Sequence, residues 1–124
     1  MRVMVLVKST EEAEKGFQRT PQTMAMMEAM GKFNDELVKA GILKEGECDG
    51  FKPSSFAKRI AFDGARREVI DGPFPHPREL VAGFWIWTVE DMDEAVAWAK
   101  RCPNPMPGPS ELEIRPYYEE ADFQ

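Results

Sequence analysis

Two segments decide most of what this chain can become. Val81-Ala82-Gly83-Phe84-Trp85-Ile86-Trp87 is its most apolar run, and Val3-Met4-Val5-Leu6-Val7 near the start is apolar at every position. A strand turns successive side chains to opposite faces, so a strand that is apolar on both must be covered on both. Strands over 2–8 and 81–89 are therefore expected in the interior of a sheet. Neither run approaches the roughly 18 apolar residues that span a bilayer, so no membrane partner is expected. The first is also too short for a signal peptide and lacks a small-residue cleavage site, which makes a cytoplasmic, reducing setting the expectation.

Between and around these strands the punctuation is clear. Ser9 to Arg19 is polar and charged and reads as a surface connection. Thr20-Pro21 then opens a helix, with Thr positioned to cap free amides and Pro tolerated in the first turn. Met26, Met30, Phe33, Leu37 and Ala40 recur at spacings of three and four and draw one apolar stripe, and Gly41 ends it as a left-handed cap. Ile42-Leu43 starts a short extended piece, Gly46-Glu47 lies in a charged bend, and 50–55 reads as a loop. Phe56 to Phe62 and Arg66 to Ile70 form a hairpin around Asp63-Gly64, placed at the sheet's periphery by its charge.

A second helix follows the strand at 81–89. Asp91 and Glu94 fit a capping box, Met92, Ala95, Val96 and Ala99 supply the buried stripe, and Pro103 stops it. Residues 103–110, with four prolines, form a stiff loop. Glu111 to Arg115 alternates as a final half-buried strand, and the tail from Tyr117 is acidic and aromatic.

At 124 residues the chain is one domain's worth, spanning 1–124. The element order predicts an α+β sandwich, with helices on one face of a mainly antiparallel sheet. Two helices cannot cover both faces, so the second face calls for another copy of the chain, and a homodimer packed sheet against sheet is the expected assembly. A net charge of −6 argues against a nucleic-acid partner. Lys58, Arg59, Arg66 and Arg67 form a local basic group, read as the solvated face of paired strands. Cys48 and Cys102 lie far apart without metal-type spacing, so no metal is expected, and no phosphate loop or nucleophile motif points to a cofactor.

The residues suited to chemistry gather where the turn Asp71-Gly72-Pro73-Phe74-Pro75-His76-Pro77-Arg78-Glu79 meets the strand at 81–89. His76 is the only histidine, a residue type suited to proton transfer, but two flanking prolines place it in an extended, exposed segment. Asp71 before Gly-Pro has a ready role in bonding turn amides. Glu79 and Glu47 each sit at a predicted strand edge, where burial would turn a carboxylate into a general acid or base. Asp71, Glu79, His76 and Glu47 are the candidate catalytic residues. Phe84 to Trp87 would wall a pocket or pack the core and a dimer contact.

Asp71-Gly72-Pro73-Phe74, followed by Glu79-Leu80, Gly83-Phe84 and the helix from Asp91 to Trp98, resembles the DGPF-domain proteins of the YCII-related superfamily. Phe33-Asn34-Asp35-Glu36-Leu37, Ala40-Gly41, Gly46-Glu47 and Glu113-Ile114-Arg115-Pro116 carry the same likeness, which extends over nearly the whole chain. The resemblance implies a ferredoxin-like α+β sandwich that dimerises into an α+β barrel. It also implies a pocket in which some relatives use a His–Asp pair, and a few perform lyase-type reactions on small aromatic-derived compounds. That histidine belongs near the start of the first helix, where this chain reads Thr20-Pro21-Gln22-Thr23, so the pair does not carry over. After Phe74 the family commonly has Ala-Glu, and this chain has Pro75-His76. The functional expectation is a small-molecule-binding or lyase- or isomerase-like enzyme with an acid/base pocket at the dimeric barrel. The alternative is a non-catalytic dimeric accessory or sensor domain, since such genes are often associated with extracytoplasmic-function sigma factors.

Overall fold

The two doubly apolar segments lie side by side at the centre of one sheet. The computed structural model describes all residues from Met1 to Gln124. The chain runs β1 (Arg2–Lys8), α1 (Glu11–Glu14), α2 (Pro21–Lys39), β2 (Leu43–Gly50), β3 (Lys58–Asp63), β4 (Arg66–Asp71), β5 (Val81–Thr88), α3 (Met92–Lys100) and β6 (Leu112–Pro116). Single 3-10 turns stand at Ser54–Phe56, Pro77–Glu79 and Glu120–Phe123. Four strands form an antiparallel sheet in the order β2-β5-β1-β6, and β3 and β4 form a separate two-stranded sheet.

Register explains why β1 and β5 are apolar throughout. Val3 faces Trp87 and Val5 faces Trp85, and all four are buried on the side where α2 and α3 pack. Met4 faces Ile86 and Leu6 faces Phe84 on the other side, where these residues stay half-buried outside the core cluster. Phe33 and Leu37 of α2 fill the covered side, and Phe33 meets Trp85 and Trp87 edge-on at centroid distances of 6.3 and 6.4 Å. From α3, Ala95 is fully buried.

The helix boundaries follow the local chemistry. The Thr20 hydroxyl accepts from the Thr23 N–H at 3.1 Å, with Pro21 in the first turn. At the other end Gly41 takes φ 76°, which lets the Ile42 N–H reach Leu37 O at 2.9 Å and the Gly41 N–H reach Val38 O at 3.0 Å. In α3 the Asp91 carboxylate accepts from the Glu94 N–H at 2.9 Å, whereas Glu94 returns to the Glu90 N–H rather than to Asp91.

Several expectations need correction. No sheet closes into a barrel: the four-stranded sheet is open, with β2 and β6 as its edges. Four strands are too few to close on themselves, since an interior filled by side chains takes about eight. The fold is α+β with two antiparallel sheets, and the dimeric α+β barrel is withdrawn. The hairpin is not the margin of the main sheet but a ribbon of its own. The stretch from Leu43 to Gly50 is a full strand with an irregular register between Leu43 and Cys48, not a short piece and a bend. Thr10 caps a short helix at Glu11–Glu14 inside the supposed surface connection, its hydroxyl accepting from the Ala13 N–H at 3.2 Å.

Candidate functional site

The turn at Asp71–Phe74 is held by Ser54, which sequence alone did not single out. Ser54 is 6% exposed. Its hydroxyl donates to Glu14 Oε2 at 2.5 Å, its N–H donates to Glu14 Oε1 at 3.1 Å, and its oxygen accepts from the Phe74 N–H at 2.9 Å. One side chain thus ties α1, the 3-10 turn and the Phe74 turn together. Gly72 is required beside it, because a Cβ there would meet Ser54 O at 1.7 Å. The Gly72 N–H donates to Ala57 O at 3.0 Å, which closes the base of the ribbon. No local pattern reveals this node: Glu14 sits in a run of charge, Ser54 in a polar loop, and 40 residues separate them.

This node backs a cleft between the α1 region and the segment after β2, with a volume of about 490 Å³. Phe17, Phe51 and Phe56 line it, 63%, 53% and 71% exposed, together with Lys52, Lys15 and Glu14. The Glu14 carboxylate is committed to Ser54, and Lys15 is paired with Glu12 at 2.9 Å, which raises its pKa. Lys52 has no carboxylate partner and lies 5.1 Å from the Phe56 ring centroid. Phe51 also packs against Phe84 of the helix-free sheet face, the rings tilted by 40° with centroids 5.8 Å apart, so the cleft borders that face. A site with aromatic walls and one uncommitted ammonium suits a planar ligand bearing a negative group.

The candidate catalytic residues are dispersed. Asp71 is exposed and paired with Lys58 at 2.5 Å across the ribbon. Glu79 is exposed at the end of the Pro77–Glu79 turn, and its N–H donates to His76 O at 2.9 Å. Glu47 is half-buried on β2. His76 is exposed but not extended: φ 61° and ψ 75° make it the one non-glycine residue with a left-handed backbone, because it caps the turn that Pro77 opens. It lines a second cleft of about 450 Å³, which no Val, Leu, Ile, Met, Phe, Tyr or Trp side chain lines, beside Lys8, Ser9, Thr10, Arg78 and Ser110. Neither cleft is lined by two of the four residues. Trp85 and Trp87 belong to the core, and the Trp85 indole N–H donates to Asn34 Oδ1 at 2.8 Å. Cys102 is a poor nucleophile at neutral pH, since burial pushes its thiol up to about 11, and burial followed by Asp49 raises Cys48 as well. No helix is long and apolar enough to cross a membrane.

These features define an α+β protein with an open antiparallel sheet, two helices on one face, and the Gly72 turn locked to a buried serine paired with a half-buried glutamate. The chain belongs to the YCII-related domain family, which matches residues 1–119. It is also similar to an uncharacterised protein of Rhizobium meliloti (strain 1021), 28% identical over 91 residues, or 73% of this chain and 72% of that protein. Family membership stands, and the functional expectations attached to the barrel do not. Without a closed sheet there is no barrel interior to hold an acid/base pocket for a lyase- or isomerase-like enzyme. The sensor alternative came from gene association with a non-catalytic dimer, and neither the fold nor the family match supports it.

Proposed function

We propose that the protein acts as a homodimer and binds a small aromatic acid in the open cleft beside Phe51. The observation that carries the reading is the cleft's composition: three exposed phenylalanines around Lys52, with the one lining carboxylate, Glu14, engaged by Ser54. The rings supply apolar contact to a flat body, and the Lys52 ammonium offsets an acid group. Dimerisation is supported by Met4, Leu6, Phe84 and Ile86, which sit half-buried on a sheet face that no helix covers. A second copy packed there, two open sheets face to face, would shield Phe84 and the Phe51 ring packed against it. Benzoate is the probe. Titration followed by amide chemical shifts is expected to move Phe51, Lys52 and Phe56, and Lys52→Ala to weaken binding about tenfold, the factor that 1.4 kcal/mol represents. Shifts confined to the His76 cleft, or none at millimolar benzoate, would overturn the ligand assignment. A sedimentation profile that stays monomeric at all concentrations would overturn the dimer.

A further inference from the structure

Every residue of the β3–β4 ribbon is exposed, and its register sorts them. Ile60 lies opposite Val69, Phe62 opposite Arg67 and Lys58 opposite Asp71, all on one face. The other face pairs Arg59 with Ile70, Ala61 with Glu68 and Asp63 with Arg66. The first face therefore carries an apolar centre, with Ile60, Phe62 and Val69 exposed by 48%, 71% and 60%. Such alternation belongs to a ribbon with one covered face, yet nothing in the chain covers it. A lone two-stranded ribbon is marginal in water, and this one is fixed at its base. The Gly72 N–H bonds Ala57 O, the Phe74 N–H bonds Ser54, and the Arg59 guanidinium sits 3.9 Å from the Phe74 ring centroid.

We propose that the ribbon is a clasp whose Ile60-Phe62-Val69 face closes over the outer margin of β2 in a second copy of the chain. The inference rests on the homodimer reading. Two features select that occupant. Charge is the first: Lys58, Arg59, Arg66 and Arg67 against Asp63, Glu68 and Asp71 give the ribbon a net of +1, whereas the whole chain is −6. β2 has Lys44 against Glu45, Glu47 and Asp49, a net of −2, and its outer backbone edge is unpaired. Area is the second. The apolar side chains of the open sheet face, Met4, Leu6, Phe84 and Ile86, are already half-buried within the chain, which limits the apolar surface left there for a partner. The clasps supply the missing apolar surface, and two-fold symmetry forms both at once.

Hydrogen exchange of amides 58–71, measured on the full chain across a dilution series alongside sedimentation velocity, tests the clasp. Protection of the ribbon is expected to rise with the dimer fraction. Ile60→Ser, Phe62→Ser and Val69→Ser combined are expected to weaken the dimer at least tenfold while leaving the far-UV spectrum intact. Glu45→Lys, Glu47→Lys and Asp49→Lys combined should weaken it similarly, and added salt should weaken the wild type. A dimer whose ribbon exchanges equally fast when dilute and concentrated would overturn the clasp and leave the dimer standing. A monomer throughout would overturn both. Protection that survives the β2 charge reversal would place the ribbon elsewhere on the partner and refute the assignment to β2.

Discussion

In the four-stranded sheet, Val3, Val5, Trp85 and Trp87 point into a core where none is more than 4% exposed. In the ribbon, Ile60, Phe62 and Val69 show the same alternation and remain 48% to 71% exposed. Alternation orients side chains, and it buries them only where another layer arrives. The four-stranded sheet receives α2 and α3, delivered by connections that return to its own strands. The ribbon is a hairpin inserted between β2 and β5, and no helix is attached to it. The two sheets therefore differ in where their stability comes from, and substitutions in each should separate cleanly.

The largest effect is expected at Leu37, fully buried between the sheet and the rest of α2. Leu37→Ala removes apolar contacts and leaves a cavity, so unfolding free energy should fall by about 3–5 kcal/mol. Urea denaturation with an unchanged slope is the measurement, and a loss below about 1 kcal/mol would mean that the covered face tolerates collapse as the ribbon does.

An intermediate effect is expected where the two sheets are joined. Ser54→Ala deletes the hydroxyl that donates to Glu14 and accepts from the Phe74 N–H, leaving both without that partner at a half-buried site. The cost should be about 2 kcal/mol. Thermal unfolding gives the global loss, and amide exchange at 58–71 should accelerate more than exchange in β1 and β5. Uniform acceleration would show that Ser54 serves the whole fold rather than the ribbon's base.

What the sequence makes legible follows the same division. β1, β5 and both long helices are read correctly because their signals are local: continuous apolar runs, Thr20-Pro21, Gly41, and Asp91 before Glu94. The features missed depend on distant partners. β2 looks like a charged bend because Lys44, Glu45 and Glu47 hide its strand character, and it extends only because β5 offers a ladder, with Asp49 opposite Phe84 and Gly50 opposite Gly83. The ribbon's strands are found, but not their separation from the main sheet. The Asp71–Phe74 turn is recognised as special, whereas its partners Ser54 and Glu14 carry no pattern of their own. Similarly, Asp71, Glu79, His76 and Glu47 draw attention as titratable residues near glycines and prolines, yet three of the four are exposed and neither of the two clefts described brings two of them together. The aromatic cleft escapes notice because Phe17 comes from the segment after α1 and Phe51 and Phe56 from the connection after β2, more than 30 residues away.

The smallest effect sharpens the comparison most. Phe62 is 71% exposed, and its one specific contact is the Arg67 guanidinium 4.6 Å from the ring centroid. An exposed cation–π contact contributes about 0.5 kcal/mol, and surface substitutions away from caps and cores usually stay within about that amount. Phe62→Ala, measured by urea denaturation at a concentration where only monomer is present, should therefore change unfolding free energy by no more than about 0.5 kcal/mol. Phe62 on its strand would then cost several-fold less than Leu37 on α2, because no layer reaches the ribbon face. A loss near 2 kcal/mol in the monomer would show instead that the ribbon folds back on its own chain, and the contrast between the two sheets would disappear.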